Sequence, residues 1–389
     1  MGKLKFVVKK EEISGALKKA GIDANVDYNI IGSGAQKDEN GSSVFGILSC
    51  SSSMMAQAQI VFHAKILEGD EKGSFICGPE LEKAVNNMSG IGNELTFDYQ
   101  GAFVEISCDA GSIKLDCKEK MASMDKSMGK EDMLGVIMNA EHLKMAVHKG
   151  ANYAPVDNMV VAKDTFELKI CDSDGSVAMR AYSSDLYKGS LCEVPVIKAG
   201  YISGAEGNQA SKNISESRYA LKCRIMDFVV NNLDEEVVQL MFQKSTVSIK
   251  SGNAVYTLAL LERKFPKEIE KIFFDRDEIS KVSLSKKELQ SAINLALIAS
   301  GNAKPLIFAI QKDGVEVRDI FGKSKVKVPG EAEGAAVDEI GFSFDQMRAI
   351  LAKTHSDKLL MTTQGSRKAT YFFDDVKGAV AFLLPVKVS

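Results

Sequence analysis

Residues 80–106 decide the fold. In Glu80-Leu81-Glu82-Lys83-Ala84-Val85-Asn86-Asn87-Met88, the apolar side chains fall at Leu81, Ala84, Val85 and Met88. That is the i, i+3, i+4, i+7 spacing of a helix with one buried face. The period then changes to two. Leu95, Phe97 and Tyr99 alternate with polar neighbours, Gln100-Gly101 supplies a turn, and Val104 and Ile106 resume the alternation. A helix followed by an antiparallel meander is the reading.

The same unit recurs along the chain, so an internal repeat organises it. Five further segments carry helical spacing. They are Ile13, Ala16, Leu17 and Ala20; Ala140, Leu143, Ala146 and Val147; Leu221, Ile225, Phe228 and Val229; Leu289, Ala292, Ile293, Ala296 and Leu297; and Met347, Ile350, Leu351 and Thr354. Strand alternation returns at Val238, Leu240 and Phe242, then Val247 and Ile249, then Val255 and Thr257. It returns again at Leu359, Met361 and Thr363, then Thr370 and Phe372. The expected class is α+β, with three tandem domains of two helix-plus-antiparallel-sheet modules each.

Polar, unpatterned stretches mark the boundaries. Met124 to Glu131 separates the second module from the third, and Phe265-Pro266-Lys267-Glu268 with the charged run to Glu278 separates the fourth from the fifth. The domains are expected at 1–128, 129–275 and 276–389, which suits a chain of 389 residues at roughly 100–200 per domain. Gly204 to Ser217 and Pro329 to Ala336 lack periodicity and are expected as long loops.

Composition narrows the function classes. Apolar residues make up 45% and charged residues 26%, enough for large buried cores. No apolar run reaches the ~18 residues of a membrane helix. Seven cysteines without a Cys-x-x-Cys pair argue against a zinc ribbon or a disulfide framework, and for reduced thiols in the cytosol. The motifs of phosphate loops, hydrolase elbows and zincins are missing, so no catalytic residue, metal or cofactor is expected.

Charge carries the positive signal. The chain is acidic overall, at −3, yet the helical segments are net basic. Their polar faces show Lys18 and Lys19, Lys83, Lys144 and Lys149, Arg218, Lys222 and Arg224, Lys287, and Arg348 with Lys353. Phosphate backbones attract such surfaces without reading sequence. These residues are the expected DNA-facing set.

Four stretches in this order resemble the bacterial sliding clamp family, the beta subunit of DNA polymerase III. Lys5-Phe6-Val7-Val8-Lys9-Lys10-Glu11-Glu12-Ile13 resembles its first strand and helix. Cys171-Asp172-Ser173-Asp174-Gly175 resembles its middle-domain turn, and Leu261-Glu262-Arg263-Lys264-Phe265-Pro266 its interdomain linker. Ala381-Phe382-Leu383-Leu384-Pro385-Val386-Lys387-Val388 resembles its terminal strand and tail.

The resemblance implies a non-catalytic processivity factor: a head-to-tail homodimeric ring with helices inside and sheets outside, around duplex DNA in the cytoplasm. It implies a pocket for short linear peptides of the polymerase and clamp loader, formed by Val156, Ser173, Gly175, Ala178, Pro266, Ile272, Thr370, Phe382, Leu384, Pro385 and Val386. It sets Ile113 and Leu115 at the subunit joint, against the last domain's first helix. The chain departs from the family at Ser176 and Val177, where a His or Tyr and then an Arg are usual, and at Tyr153-Ala154-Pro155, where an aromatic pair is usual. The alternatives are a clamp-derived scaffold that encircles no DNA, and an unrelated α+β enzyme.

Overall fold

A computed structural model describes residues 3–37, 42–69, 72–88, 93–124, 133–155, 163–173, 176–202, 217–262, 265–300, 305–374 and 376–388. The elements run in chain order as follows. First come β1 (Leu4–Lys9), α1 (Lys10–Ala20), β2 (Asp27–Lys37), β3 (Ser43–Cys50), β4 (Ala56–Gly69), β5 (Ser74–Cys77), α2 (Glu80–Met88), β6 (Glu94–Tyr99), β7 (Phe103–Cys108) and β8 (Gly111–Asp116). Next are β9 (Met133–Asn139), α3 (Ala140–Gly150), β10 (Thr165–Ser173), β11 (Ser176–Ser184), β12 (Lys188–Pro195), β13 (Lys198–Ile202), β14 (Ser217–Lys222), α4 (Cys223–Asn231), β15 (Val237–Phe242), β16 (Thr246–Ser251) and β17 (Ala254–Ala259). Then come α5 (Lys267–Phe274), β18 (Ser280–Ser285), α6 (Lys286–Ser300), β19 (Leu306–Gln311), β20 (Gly314–Asp319), β21 (Lys325–Gly334), β22 (Val337–Phe342), α7 (Phe344–Lys353), β23 (Lys358–Thr363), β24 (Thr370–Phe373) and β25 (Ala379–Leu383).

The chain divides into two compact units. The first holds residues 1–141, 196–213 and 224–260. Its sheet runs β13-β9-β15-β16-β17-β4-β1-β6-β7-β8, and β2, β3 and β5 branch from β4. Strand β4 is long enough, at 14 residues, to pair with β17 over its first half and with β1 over its second. Beneath it, Phe6 stacks on Phe97 at 4.9 Å and lies 4.6 Å from Phe45. Helices α1 and α2 pack together, and Ser14 Oγ donates to Asn86 Oδ1 at 2.8 Å.

The second unit holds residues 142–195, 214–223 and 261–389. Its sheet runs β14-β10-β11-β12-β25-β24-β23-β18-β21-β20-β19-β22. One core gathers Leu289, Ala292, Ile293 and Ala296 of α6 with Met347, Ile350 and Leu351 of α7 over the strands. Tyr153 joins this core at 5% exposed and reaches Ala349 O through its hydroxyl. The position where the family carries an aromatic pair is therefore packing material here.

Helix faces follow the expected spacing in α1, α2, α3, α6 and α7. Four features differ. In α4 the buried residues are Met226, Val229 and Val230, because Leu221 belongs to β14 and the helix begins only at Cys223. In β17 the inward residues are Ala254, Tyr256 and Leu258, so Val255 and Thr257 face outward. The charged run after Pro266 is a helix, α5, because Ile269, Ile272 and Phe273 form an apolar stripe within it. Residues 329–334 are not loop: they extend β21 along β18, with Val282 opposite Ala332 and Lys281 opposite Glu333. The expected loop over 204–217 and most of the boundary at 124–131 lie outside the described residues.

Glycine matters where backbones approach. A Cβ on Gly189 would stand 2.5 Å from Phe382 Cε1 and 2.8 Å from Ser183 O, just where β12 pairs with β25. Gly46 has open space around it. Gly189→Ala should therefore destabilise by about 1–3 kcal/mol, as overpacking does, while Gly46→Ala should stay within about 0.5 kcal/mol. Urea unfolding of the two variants checks this.

Candidate functional site

Two features qualify: the outer faces of the helices, and an apolar cluster in the second unit that is capped by partly exposed side chains. The cluster is built on strand pairing. Strand β25 lies between β12 and β24, which sets Phe382 opposite both Gly189 and Tyr371. Phe382 meets Phe273 of α5 edge-on at 5.0 Å, and Tyr182 meets Phe265 edge-on at 5.9 Å. With Leu191, Ile269, Ala369, Tyr371 and Val380 these rings form a buried floor. Leu186, Ile272, Phe373 and Leu384 pack on it and stay partly exposed, forming a rim.

Polar contacts hold the walls in place. Leu186 sits at φ 80°, in a turn held by its N–H to Ser184 Oγ at 3.0 Å and by Asp185, which accepts from the Tyr187 and Lys188 amides. Leu384 N–H donates to Tyr187 O at 2.8 Å. On the other wall, Tyr371 O–H donates to Ile272 O at 2.5 Å and fastens the end of α5. The Arg276 guanidinium lies 5.3 Å from the Tyr371 ring centre and 5.4 Å from that of Phe373.

A charged cluster anchors the start of the same wall. Glu167 is fully buried; it accepts from Tyr182 O–H and from Phe265 N–H at 3.0 Å, and pairs with Arg218 Nε at 2.8 Å. Arg218 also donates to Glu270 of α5 at 2.7 Å, and Lys169 pairs with Glu270. Burial, followed by the charge of Glu167, drives the Tyr182 phenol far above its ordinary range, so it stays a donor.

The expected pocket residues do not all converge here. Ile272 and Leu384 form rim, and Pro266 opens α5. Phe382 is floor at 0% exposure, and Thr370 is buried with its hydroxyl donating to Thr363 Oγ1. Ala178 sits in β11 opposite Pro195, outside the cluster. Pro385 and Val386 turn away into a separate cleft of about 630 Å³ with Gly341 and Arg367, where Val386 N–H donates to Gly341 O. Val156, Gly175 and the Ser173 side chain lie outside the described residues. Leu186, Phe273 and Phe373 belong to the cluster without being in the expected set. The i, i+3, i+4 stripe of Ile269, Ile272 and Phe273 is the sequence signal that marks one wall.

The cations divide in the same way. Lys18, Lys83, Arg224, Lys287, Arg348 and Lys353 are exposed on helices, and Lys144 is half-buried on α3. Four others are engaged. Arg218 and Lys222 stand on β14 rather than on a helix, Arg218 in the cluster above and Lys222 donating to Lys163 O at 2.5 Å. Lys149 pairs with Asp374 at 2.6 Å, and Lys19 pairs with Asp234. Arg218 and Lys149 are nearly buried by these pairings, so neither presents its charge at the surface.

At the expected subunit joint, Ile113 is 40% exposed on β8, a terminal strand of its sheet, while Leu115 is buried. Helix α6 exposes Leu295 at 53% and Ile298 at 78%, on the side away from its buried stripe.

Among solved structures, this architecture is similar to that of DNA sliding clamps. The named proteins are beta subunits of DNA polymerase III. That of Thermotoga maritima aligns over 99% of this chain and 100% of its own, at a TM-score of 0.75 and 14% identity. The Caulobacter crescentus clamp, with polyethylene glycol bound at a region ascribed to beta-motif tethering, gives 0.74 and 14% over 99% and 100%. The Pseudomonas aeruginosa clamp bound to griselimycin gives 0.76 and 10% over 99% of each chain. No protein-family model matches the sequence, and no curated protein matches it. The chain shares the fold of these proteins over 99% of its length, at 10–14% identity.

Burial lifts the Tyr371 phenol to about 12, with Arg276 opposing and Glu278 and Asp275 adding to the rise. A raised folded-state value means that the stability is complete below pH ~10 and is lost as pH climbs from ~10 toward 12. Tyr371→Phe should remove one proton from the alkaline slope of unfolding free energy. It should also cost about 1 kcal/mol at neutral pH through the lost bond to Ile272. Denaturant titrations between pH 8 and 11 would show both effects.

Proposed function

We propose that this chain is a DNA sliding clamp: a non-catalytic ring that tethers a DNA polymerase to duplex DNA. The observation that carries the proposal is the fold likeness to beta clamps over 99% of the chain, without a missing module. In this reading the chain forms three domains, at 1–128, 129–275 and 276–389, and two copies close head to tail. The exposed cations Lys18, Lys83, Lys144, Arg224, Lys287, Arg348 and Lys353 face the phosphates of the enclosed duplex. Encirclement holds the protein on DNA, so individual contacts can stay weak and sliding stays possible. Tethering then raises the polymerase's effective concentration at its template. The site of action is the cytoplasm of a bacterial or phage-infected cell.

The apolar cluster of the second unit supplies the partner site. Its rim of Leu186, Ile272, Phe373 and Leu384 over an aromatic floor suits two or three apolar side chains of an extended peptide. Partners of this class are the polymerase and the clamp loader. Because Leu186 and Phe373 join Ile272 and Leu384 in the rim, the peptide preference differs from the one the family pattern implies.

Ring closure uses the exposed apolar residues. Ile113 of one copy would meet Leu295 and Ile298 of the next, which buries large side chains otherwise left in water. Native mass spectrometry should give two chains, and Ile298→Asp should give one chain with an unchanged circular dichroism spectrum. A wild-type single chain would argue for the scaffold reading instead.

Charge reversal tests the DNA face. Glutamate at Lys18, Lys83, Arg224 and Arg348 together should flatten the dependence of DNA association on salt, by close to one unit of slope for each phosphate no longer neutralised. Lys19→Gln, by contrast, should leave that slope close to unaltered, because Asp234 already engages the ammonium group.

A further inference from the structure

Cys77 and Cys117 lie with their sulfurs 4.0 Å apart, and neither is bonded to another sulfur. The backbone explains why. After β8 the chain crosses to β5, where Lys118 forms an antiparallel bridge with Ile76 and donates its N–H to Ile76 O at 2.8 Å. The next rung sets Cys77 opposite Cys117. The Cys117 amide is turned away to Ala102 O, so this is a non-hydrogen-bonded rung, where Cα atoms stand about 4.5 Å apart. That separation lies inside the range a disulfide spans.

The two thiols are not equivalent. Cys77 is fully buried and Cys117 is half-buried, within reach of solvent. The contact between the two sulfurs holds the pKa of Cys117 below the ordinary cysteine value and, together with burial, pushes that of Cys77 above it. Around them, Lys118 is held by Asp27 at 2.6 Å, and Glu80, Asp27 and Asp116 are the nearby carboxylates. No other cysteines of the described residues make such a contact.

We propose that Cys77 and Cys117 form a reversible, oxidant-driven disulfide that staples the end of β8 to β5. The oxidant is hydrogen peroxide. The Cys117 thiolate attacks the peroxide oxygen, the O–O bond breaks, and a sulfenic acid forms as hydroxide leaves and takes a proton to become water. Cys77 sulfur then attacks Cys117 sulfur, and the sulfenic hydroxyl leaves as a second water with the Cys77 proton. Two thiols lose two electrons in all, and one hydrogen peroxide gains them. In a reducing cytosol the bond would be transient.

The consequence is local. Strand β8 ends its sheet and carries Ile113, and the staple fixes its C-terminal end to a strand that pairs with β2. Its importance for subunit exchange rests on the ring proposed above. The chemistry and the local effect do not, since both occur within one unit of one chain.

The full-length chain would be treated with hydrogen peroxide, quenched, alkylated after denaturation and digested without reductant. The expected result is a linked peptide pair containing Cys77 and Cys117, five alkylated cysteines from the original seven, and full reversal by dithiothreitol. Hydrogen exchange of the β8 amides should slow at least several-fold on oxidation, and thermal unfolding should rise by roughly 5–10 °C. Cys117→Ser, a change at the less buried partner, should leave Cys77 alkylatable after the same treatment. Oxidation of Cys117 to sulfinic acid without linkage, or a linked pair elsewhere, would overturn the proposal. So would a Cys77–Cys117 link that leaves β8 exchange unchanged.

Discussion

Each unit must keep one face of a long antiparallel sheet out of water, and helices are the elements that do it. Everything else follows from this covering. A strand alternates its side chains, so Phe6, Phe45, Phe62 and Phe97 all fall on one face and need a lid. The lid is α1 and α2, which spend their apolar stripes on the sheet and leave Lys18 and Lys83 outward. In the second unit, α6 and α7 do the same and leave Lys287 and Arg348 exposed. The charged side chains of the helices are thus what remains outside after the core has taken its share.

That logic explains why so much of the fold was legible. Five helices announced their buried faces by spacing alone, down to Ile13, Ala16, Leu17 and Ala20. The failures share one cause: local pattern cannot register a partner distant in sequence. Leu221 reads as the first apolar residue of a helix, but β14 claims it through pairing with Phe166. Glu331 and Glu333 look like loop residues, yet their strand is written in the opposing Val282 and Leu284 of β18. The charges of Lys267, Glu268, Glu270 and Lys271 masked the stripe of α5.

The candidate site was legible in kind and less so in residue. Arg218, Lys149 and Lys19 read as surface cations. The acids that engage Lys149 and Lys19 lie 225 and 215 positions away, at Asp374 and Asp234, and Arg218 reaches back to Glu167 on a neighbouring strand. A charged side chain so removed from water is stabilised only by such partners. In the apolar cluster, Phe382 is buried because Gly189 opposite it leaves room for its ring. Leu186 reached the rim through a left-handed turn residue, a feature sequence spacing does not reveal. The cluster is therefore assembled by β12–β25 pairing and by α5.

Topological retention on DNA separates this account from any that relies on ordinary binding. The protein would be placed by a clamp loader on nicked circular DNA, washed at high salt, and followed after a restriction enzyme opens the circle. The account expects stable retention on the intact circle and rapid loss from the linearised molecule, because release then needs only an end. Equal rates of loss from both would contradict it.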